Sequence, residues 1–271
     1  MNAFTQTIEI TRQSACLLLR HRMVLVILVV AVLESAGLLF LPRRVAHENT
    51  GDDLYGYFTY FGWIQLGLPF LALFFGVTAV HQDLEDRTST YLFLRPVRRS
   101  VLLVGKWLAS TLVAAGLLAV PVVLTWCAIA LPARPWRAGL APSFLSPATY
   151  LLGAVMTAPA YAAVGAFAGA CFKRPLVLAM AFLVGWEVVV SNLPPRSGVR
   201  GLTIADPLRR WLIEHLPDAP HFVRTLTLDL GREAATLGSA PYVALARATL
   251  LALACALWVY TRREYDSRPR D

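Results

Sequence analysis

The sequence predicts an all-α polytopic membrane protein with six transmembrane helices, and three observations lead there. Of 271 residues, 57% are hydrophobic and 15% charged, with a mean hydropathy of +0.57, which is foreign to soluble globular domains. The apolar residues fall in runs close to the roughly 20 residues that a bilayer core requires. Lys and Arg cluster beside those runs, as topology signals do. The net charge of +8 would otherwise invite a nucleic-acid reading. No nucleic-acid-binding motif is present, so lipid and not nucleic acid is the expected surrounding.

Residues 1–22 set Phe4, Ile8, Ala15 and Leu18 at near-helical spacing, with Arg12, Arg20 and Arg22 between and after them. An amphipathic helix in the cytoplasmic interface fits this pattern, with a frayed tail as the plainer alternative. Spans are expected at about 23–41, 54–80, 107–131, 148–171, 175–193 and 241–260. The first run is too long for a signal-peptide core and has no small-x-small cleavage site before Pro42, so it reads as a signal anchor. The second opens with Tyr55, Tyr57, Phe58, Tyr60, Phe61 and Trp63, aromatics suited to a membrane–water interface. Pro69, Pro121 and Pro159 fall inside spans, where prolines are tolerated and produce kinks. The fourth span is rich in small residues and holds Gly165-x-x-x-Gly169, which permits close helix contact but is common by chance in apolar sequence.

Orientation follows from the bases. With the N-terminus inside, fourteen Lys and Arg fall in cytoplasmic segments, four in the two short outer loops and six in the long outer segment 194–240. Long loops obey the positive-inside rule poorly, so both termini are expected in the cytoplasm. Segment 194–240 contains PLRRWLIEHL, residues 207–216, in which Leu208, Trp211, Leu212 and His215 share a helical face, and a second helical stretch around 222–237. Short helices resting on the outer surface or dipping into it are expected. The segment is too short and too poor in apolar residues for a core of its own.

Between the second and third spans lies a charged island, HQDLEDRTSTYLFLRPVRRSVLLVGK, residues 81–106. Asp83, Glu85 and Asp86 come first, then an apolar run, then Arg95, Pro96, Arg98, Arg99 and Lys106. Acids at a helix start and bases near its end suit the helix dipole, and Pro96 interrupts a helix at about Arg95. A short amphipathic surface helix and an ordinary basic loop both fit this pattern.

Chemistry is sparse. Gly105-Lys106 is followed by Trp107 and lacks the upstream glycine of a phosphate-binding loop. There is no HExxH and no GxSxG. His21, His47, His81, His215 and His221 are dispersed, and Cys16, Cys127, Cys171 and Cys255 show no CxxC spacing; no metal site, disulfide framework or catalytic residue is expected. Three ionisable residues stand inside spans: Glu34, Glu187 and Arg247. They lie 7, 6 and 6 positions from the predicted outer ends, which puts all three about 9–10 Å below the outer surface. Opposite charges at one depth predict a pairing of Arg247 with Glu187, Glu34 or both, and separate snorkelling is the alternative.

The order Glu85-Asp86-x-Thr88, an apolar run, Arg95-Pro96-Val97-x-Arg99 and then Gly105-Lys106 resembles the loop after the second span of ABC-2-type permeases. These include the nitrous-oxide-reductase maturation and sodium-efflux permeases. The likeness covers nearly the whole chain in span number and spacing, and this stretch in residue detail. Arg87 stands where that family usually has Gly. The resemblance implies a single ABC-2-type transmembrane domain over residues 1–271, the membrane subunit of an ABC exporter in the inner membrane. It implies a coupling helix in the 81–106 loop that docks on a separate ATPase subunit, and short extracytoplasmic helices between the fifth and sixth spans. Glu85, Thr88, Arg95, Pro96, Arg98 and Arg99 would form the coupling surface, with Lys173 and Arg174 as a second contact. Two permease copies, as a homodimer, would meet two ATPase subunits that carry ATP and Mg. The chain itself would be no enzyme. An ion-coupled secondary transporter using Glu34, Glu187 and Arg247, or a membrane scaffold for an extracytoplasmic assembly, is the alternative. Nothing in the sequence singles out a substrate.

Overall fold

The computed structural model describes residues 3–40, 50–85, 98–130, 142–191, 202–216, 220–230 and 241–262. Among them every regular element is a helix. In chain order these are α1 (Ala3–Leu19), α2 (Arg22–Leu38), α3, α4 (Arg99–Ala130), α5 (Leu145–Cys171), α6, α7 (Ala205–His215), α8 (Pro220–Leu230) and α9 (Pro241–Arg262). α3 is continuous through Gly51–Tyr57, a π-helical stretch Phe58–Gly67, and Leu68–Glu85. α6 joins Pro175–Ala181 to a second π-helical stretch, Phe182–Val190.

Four helices, α3, α4, α5 and α9, are long and apolar enough to cross a membrane, and α1 with α2 makes a fifth if a 60° bend is counted within one span. Among the described residues, length and composition thus mark four or five of the six expected spans. α2 alone has 17 residues, and α6 is among the shorter apolar helices. The boundaries differ too. α3 starts at Gly51, ahead of its apolar run, because Thr50 and Asp53 form a capping box in which each side chain satisfies a backbone N–H of the first turn. α4 starts at Arg99 and not near residue 107, so Lys106 lies inside a helix.

The charged island is also divided differently. His81–Glu85 continue α3, so Asp83 and Glu85 stand at a helix C-terminus and not at the start of a new one. Thr88, Arg95 and Pro96 lie outside the described residues.

α5 is the hub, packing against α3, α4, α6, α7 and α9. Its small residues allow this: Ala154, Ala158, Ala162 and Ala166 are all fully buried along one side. A Cβ on Gly165 would fall 2.6 Å from the Leu73 carbonyl oxygen, and one on Gly76 would fall 2.6 Å from that of Ala162. The Gly165-x-x-x-Gly169 face thus meets α3 backbone to backbone, where dispersion contacts between close helices hold a membrane bundle together.

α1 leans on the start of α4: the Thr11 hydroxyl donates to the Gly105 carbonyl at 3.1 Å, and Ile10 covers the bare face of that glycine. Its other side leaves Phe4, Ile8 and Leu17 exposed, as an interfacial helix does.

At the far end of the bundle two carboxylates pin neighbouring helices. Asp52 Oδ1 accepts from the Ser143 N–H at 2.9 Å and the Ser146 hydroxyl at 2.5 Å. Asp53 Oδ1 accepts from the Phe222 N–H at 2.9 Å in the first turn of α8, an anion at a helix N-terminus. α7 does more than rest on the surface. Ala205, Leu208, Arg209 and Leu212 are buried, Trp211 is half-buried and His215 is exposed, stacked on Trp211. The buried face is thus turned from the expected Leu208, Trp211, Leu212 and His215 stripe, and it carries a charge.

Candidate functional site

The first candidate centre is a groove of about 570 Å³ between α2 and the π-helical stretch of α3, closed at the back by Leu183 of α6. Ile27 and Val30 of α2 face Phe70 and Leu71 of α3 across it. Glu34 is the one ionisable side chain on its wall. That carboxylate is half-buried and accepts the indole N–H of Trp63. Gly62 keeps the wall low beside it, since a Cβ there would meet only Glu34 Oε1, at 3.6 Å. π-helical turns recur at functional sites, because they break the regular hydrogen-bond ladder.

The second centre is a buried polar cluster fixed by four helices. Glu187, 2% exposed, sits in the π-helical stretch of α6. Its Oε2 accepts from the Tyr161 hydroxyl at 2.9 Å and the Ala205 N–H at 3.1 Å, and its Oε1 from the Ile204 N–H at 3.0 Å. A carboxylate from α6 therefore caps the N-terminus of α7, where unpaired N–H groups and the helix dipole both favour negative charge. Arg209 of α7, 1% exposed, donates from Nε to Tyr60 Oη at 2.5 Å and from a terminal nitrogen to the Ser191 carbonyl at 3.0 Å. Its guanidinium makes no direct ion pair with Glu187 and adds only a weaker, longer-range attraction to that carboxylate. Tyr60, Tyr161, Glu187 and Arg209 together tie α3, α5, α6 and α7, and each buried charge has donors or acceptors to answer it.

The structure does not assemble Glu34, Glu187 and Arg247 into one network. Glu34 goes to Trp63 and Glu187 to α7, while Arg247 is exposed on α9 and has no ion pair among the described residues. The physical reason is that the cation answering Glu187 comes from the connecting segment folded back into the bundle, not from another span at matching depth. Arg209 had a readable signal. It occupies the i+4 position of the stripe Ala205, Leu208, Arg209, Leu212, and a charge on an apolar stripe is expected to have a buried partner.

The other end of the bundle is basic. Lys106 is buried, and its Nζ donates to the Ala79 carbonyl of α3 at 2.7 Å. Arg99, half-buried, reaches the Thr261 carbonyl in the last turn of α9 at 3.4 Å. The Arg262 guanidinium lies 5.1 Å over the Trp258 ring, a cation–π contact. Arg98 is exposed. Lys173 and Arg174, between α5 and α6, are exposed at a pocket of about 470 Å³ shared with His21 and His81. Among the described residues no group of three or more His, Cys, Asp and Glu side chains could hold a metal ion. The chemistry on offer is binding and electrostatic linkage between helices.

The family model described as ABC-2 family transporter protein matches residues 18–198, a stretch that takes in α2 through α6. No curated protein matches the chain.

Proposed function

The chain belongs to the ABC-2 family of transporter proteins, and from that premise we propose that it is an exporter's permease subunit driven by a separate ATPase. Two copies form the pathway. ATP and Mg stay on two partner subunits that dock at the basic end, on the 81–106 loop, with Lys173 and Arg174 as a second contact. α2, α3, α4, α5, α6 and α9 serve as the six spans, and both termini lie on the cytoplasmic side of the inner membrane. The distribution of Lys and Arg supports that orientation.

One observation carries the coupling reading. Lys106 Nζ donates to the Ala79 carbonyl, so the two stems of the loop, α3 and α4, are latched to each other directly above it. A push on the loop then moves both helices as one body. Arg99 adds a longer contact to the last turn of α9, where the helix dipole favours a cation. Closure of the ATPase pair is thereby passed to three spans at once, opening inner and outer cavities in turn.

The test is co-purification with the ATPase subunit followed by transport in vesicles. Arg98→Glu, at an exposed position, should reduce ATPase capture at least tenfold with membrane insertion intact. Lys106→Met should keep capture and lose ATP-stimulated transport. Full capture and full transport by both variants would sink the coupling reading.

A further inference from the structure

We propose that the groove between α2 and α3 is a binding site for a single-chain amphiphilic monocation, its head on Glu34 and its tail lying toward Met23. The proposal deepens the permease reading by naming a substrate class, and it rests on that reading for its transport meaning.

Shape comes first. The groove's volume of about 570 Å³ lies within the roughly 300–1,000 Å³ usual for ligand sites. Met23 and Glu34 both line it and stand eleven residues apart on α2, so it runs about 16 Å along the helix. That suits an extended alkyl tail better than a compact ring system. Val26, Val30 and Leu66 form an exposed rim, while Ile27, Trp63 and Leu71 form a buried floor. The long side of the groove is therefore open to the hydrocarbon of the bilayer, from which a tail enters sideways.

Charge then selects the head. All polarity on the groove's wall is at one end, at Glu34. A carboxylate at membrane depth is costly and is held there by a partner or by a pathway that uses it. Among the described residues the only hydrogen bond to Glu34 comes from Trp63, and a carboxylate has acceptor capacity for about four. Trp63 fixes the carboxylate and leaves its second oxygen turned toward Gly62, where the missing side chain makes room for a head group. No second acid lines the groove, so one positive charge is matched and two are not. Arg247, the one basic residue expected nearby from sequence, is exposed elsewhere on α9.

The experiment is equilibrium binding of isotope-labelled dodecyltrimethylammonium, and of neutral dodecanol, to the full chain in lipid nanodiscs. Uptake by empty discs is subtracted, and no ATPase is present. Wild type should bind the cation saturably. Glu34→Gln should weaken the cation at least tenfold and leave dodecanol unchanged. Gly62→Leu, whose first carbon is in ordinary contact with Glu34, fills the head position and should abolish cation binding while the carboxylate itself is kept. It decides the matter should Glu34→Gln fail to fold. Unsaturable binding by wild type, or equal cation affinity in wild type and Glu34→Gln, overturns the proposal. So does equal affinity for both probes, which would mark a plain acyl slot. A change in particle mass by light scattering in Glu34→Gln, with cation binding retained, would instead mark a face between two copies. Failure here leaves ATPase capture untouched, and failure of capture leaves this binding untouched.

Discussion

Replacing Arg209 with Met removes a buried guanidinium and keeps most of its length. Arg209 donates to Tyr60 Oη and to the Ser191 carbonyl, and it balances Glu187. Removing one partner of a directly paired buried charge costs about 3–5 kcal/mol, an upper bound here because Arg209 and Glu187 attract each other without direct contact. Glu187 keeps three donors from Tyr161, Ile204 and Ala205, which places the expected loss at the lower end, about 3 kcal/mol. Glu187→Gln turns an amide nitrogen toward groups that are themselves donors, and one unmatched buried donor costs about 1–3 kcal/mol. Because the two charges stabilise each other, the double variant should lose less than the sum, with a coupling of about 0.5–3 kcal/mol. The assay is reversible unfolding in mixed micelles titrated with SDS, run on wild type, both single variants and the double variant. Arg247→Leu, on an exposed position, is the reference and should stay within about 0.5 kcal/mol of wild type. Additive losses to within about 0.5 kcal/mol would refute the pairing, as would an Arg209→Met loss no larger than that of Arg247→Leu.

Two further outcomes follow from packing and orientation. Gly165→Ala forces a Cβ onto the Leu73 carbonyl at 2.6 Å and should cost about 1–3 kcal/mol, whereas Gly116→Ala, with nothing within 4 Å, should stabilise by about 0.4–1 kcal/mol; the same SDS titration reads both. In a chain cleared of its four native cysteines, a Cys at Gly238 should label from outside intact cells and one at Ser267 should not, and the reverse pattern would invert the topology.

The long apolar helices α3, α4, α5 and α9 were legible as spans because length and hydropathy alone decide them. Their ends were not, since the residues that end the apolar runs are the ones that cap and latch the helices. Asp52 and Asp53 look like loop acids until Thr50 and the N–H groups of Ser143 and Phe222 surround them. Lys106 looks like a flanking base, yet it is buried on the Ala79 carbonyl. The Gly165-x-x-x-Gly169 motif announced a close contact but could not name α3 as its partner, because a one-dimensional pattern carries no information about the facing surface. Glu187 stood out as an intramembrane charge. Its true neighbours are hidden because depth along a span says nothing of a connecting segment, and Ile204, Ala205 and Arg209 belong to one that folds back into the bundle.

That folding back bears on how the chain is made. In the proposed six-span arrangement α6 is short, and it carries into the bilayer an ionisable side chain of a kind that costs about 2.5–3.5 kcal/mol at a helix centre. Judged by itself as it leaves the ribosome, it is a marginal candidate for insertion. The amides of Ile204 and Ala205 that satisfy Glu187, and the guanidinium of Arg209, emerge only later in synthesis. Until they arrive the carboxylate must be shielded by water, by Tyr161 of the already inserted α5, or by the insertion machinery. In that arrangement, commitment of this part of the chain to the membrane is a joint decision of α6 and α7, made after both have been translated.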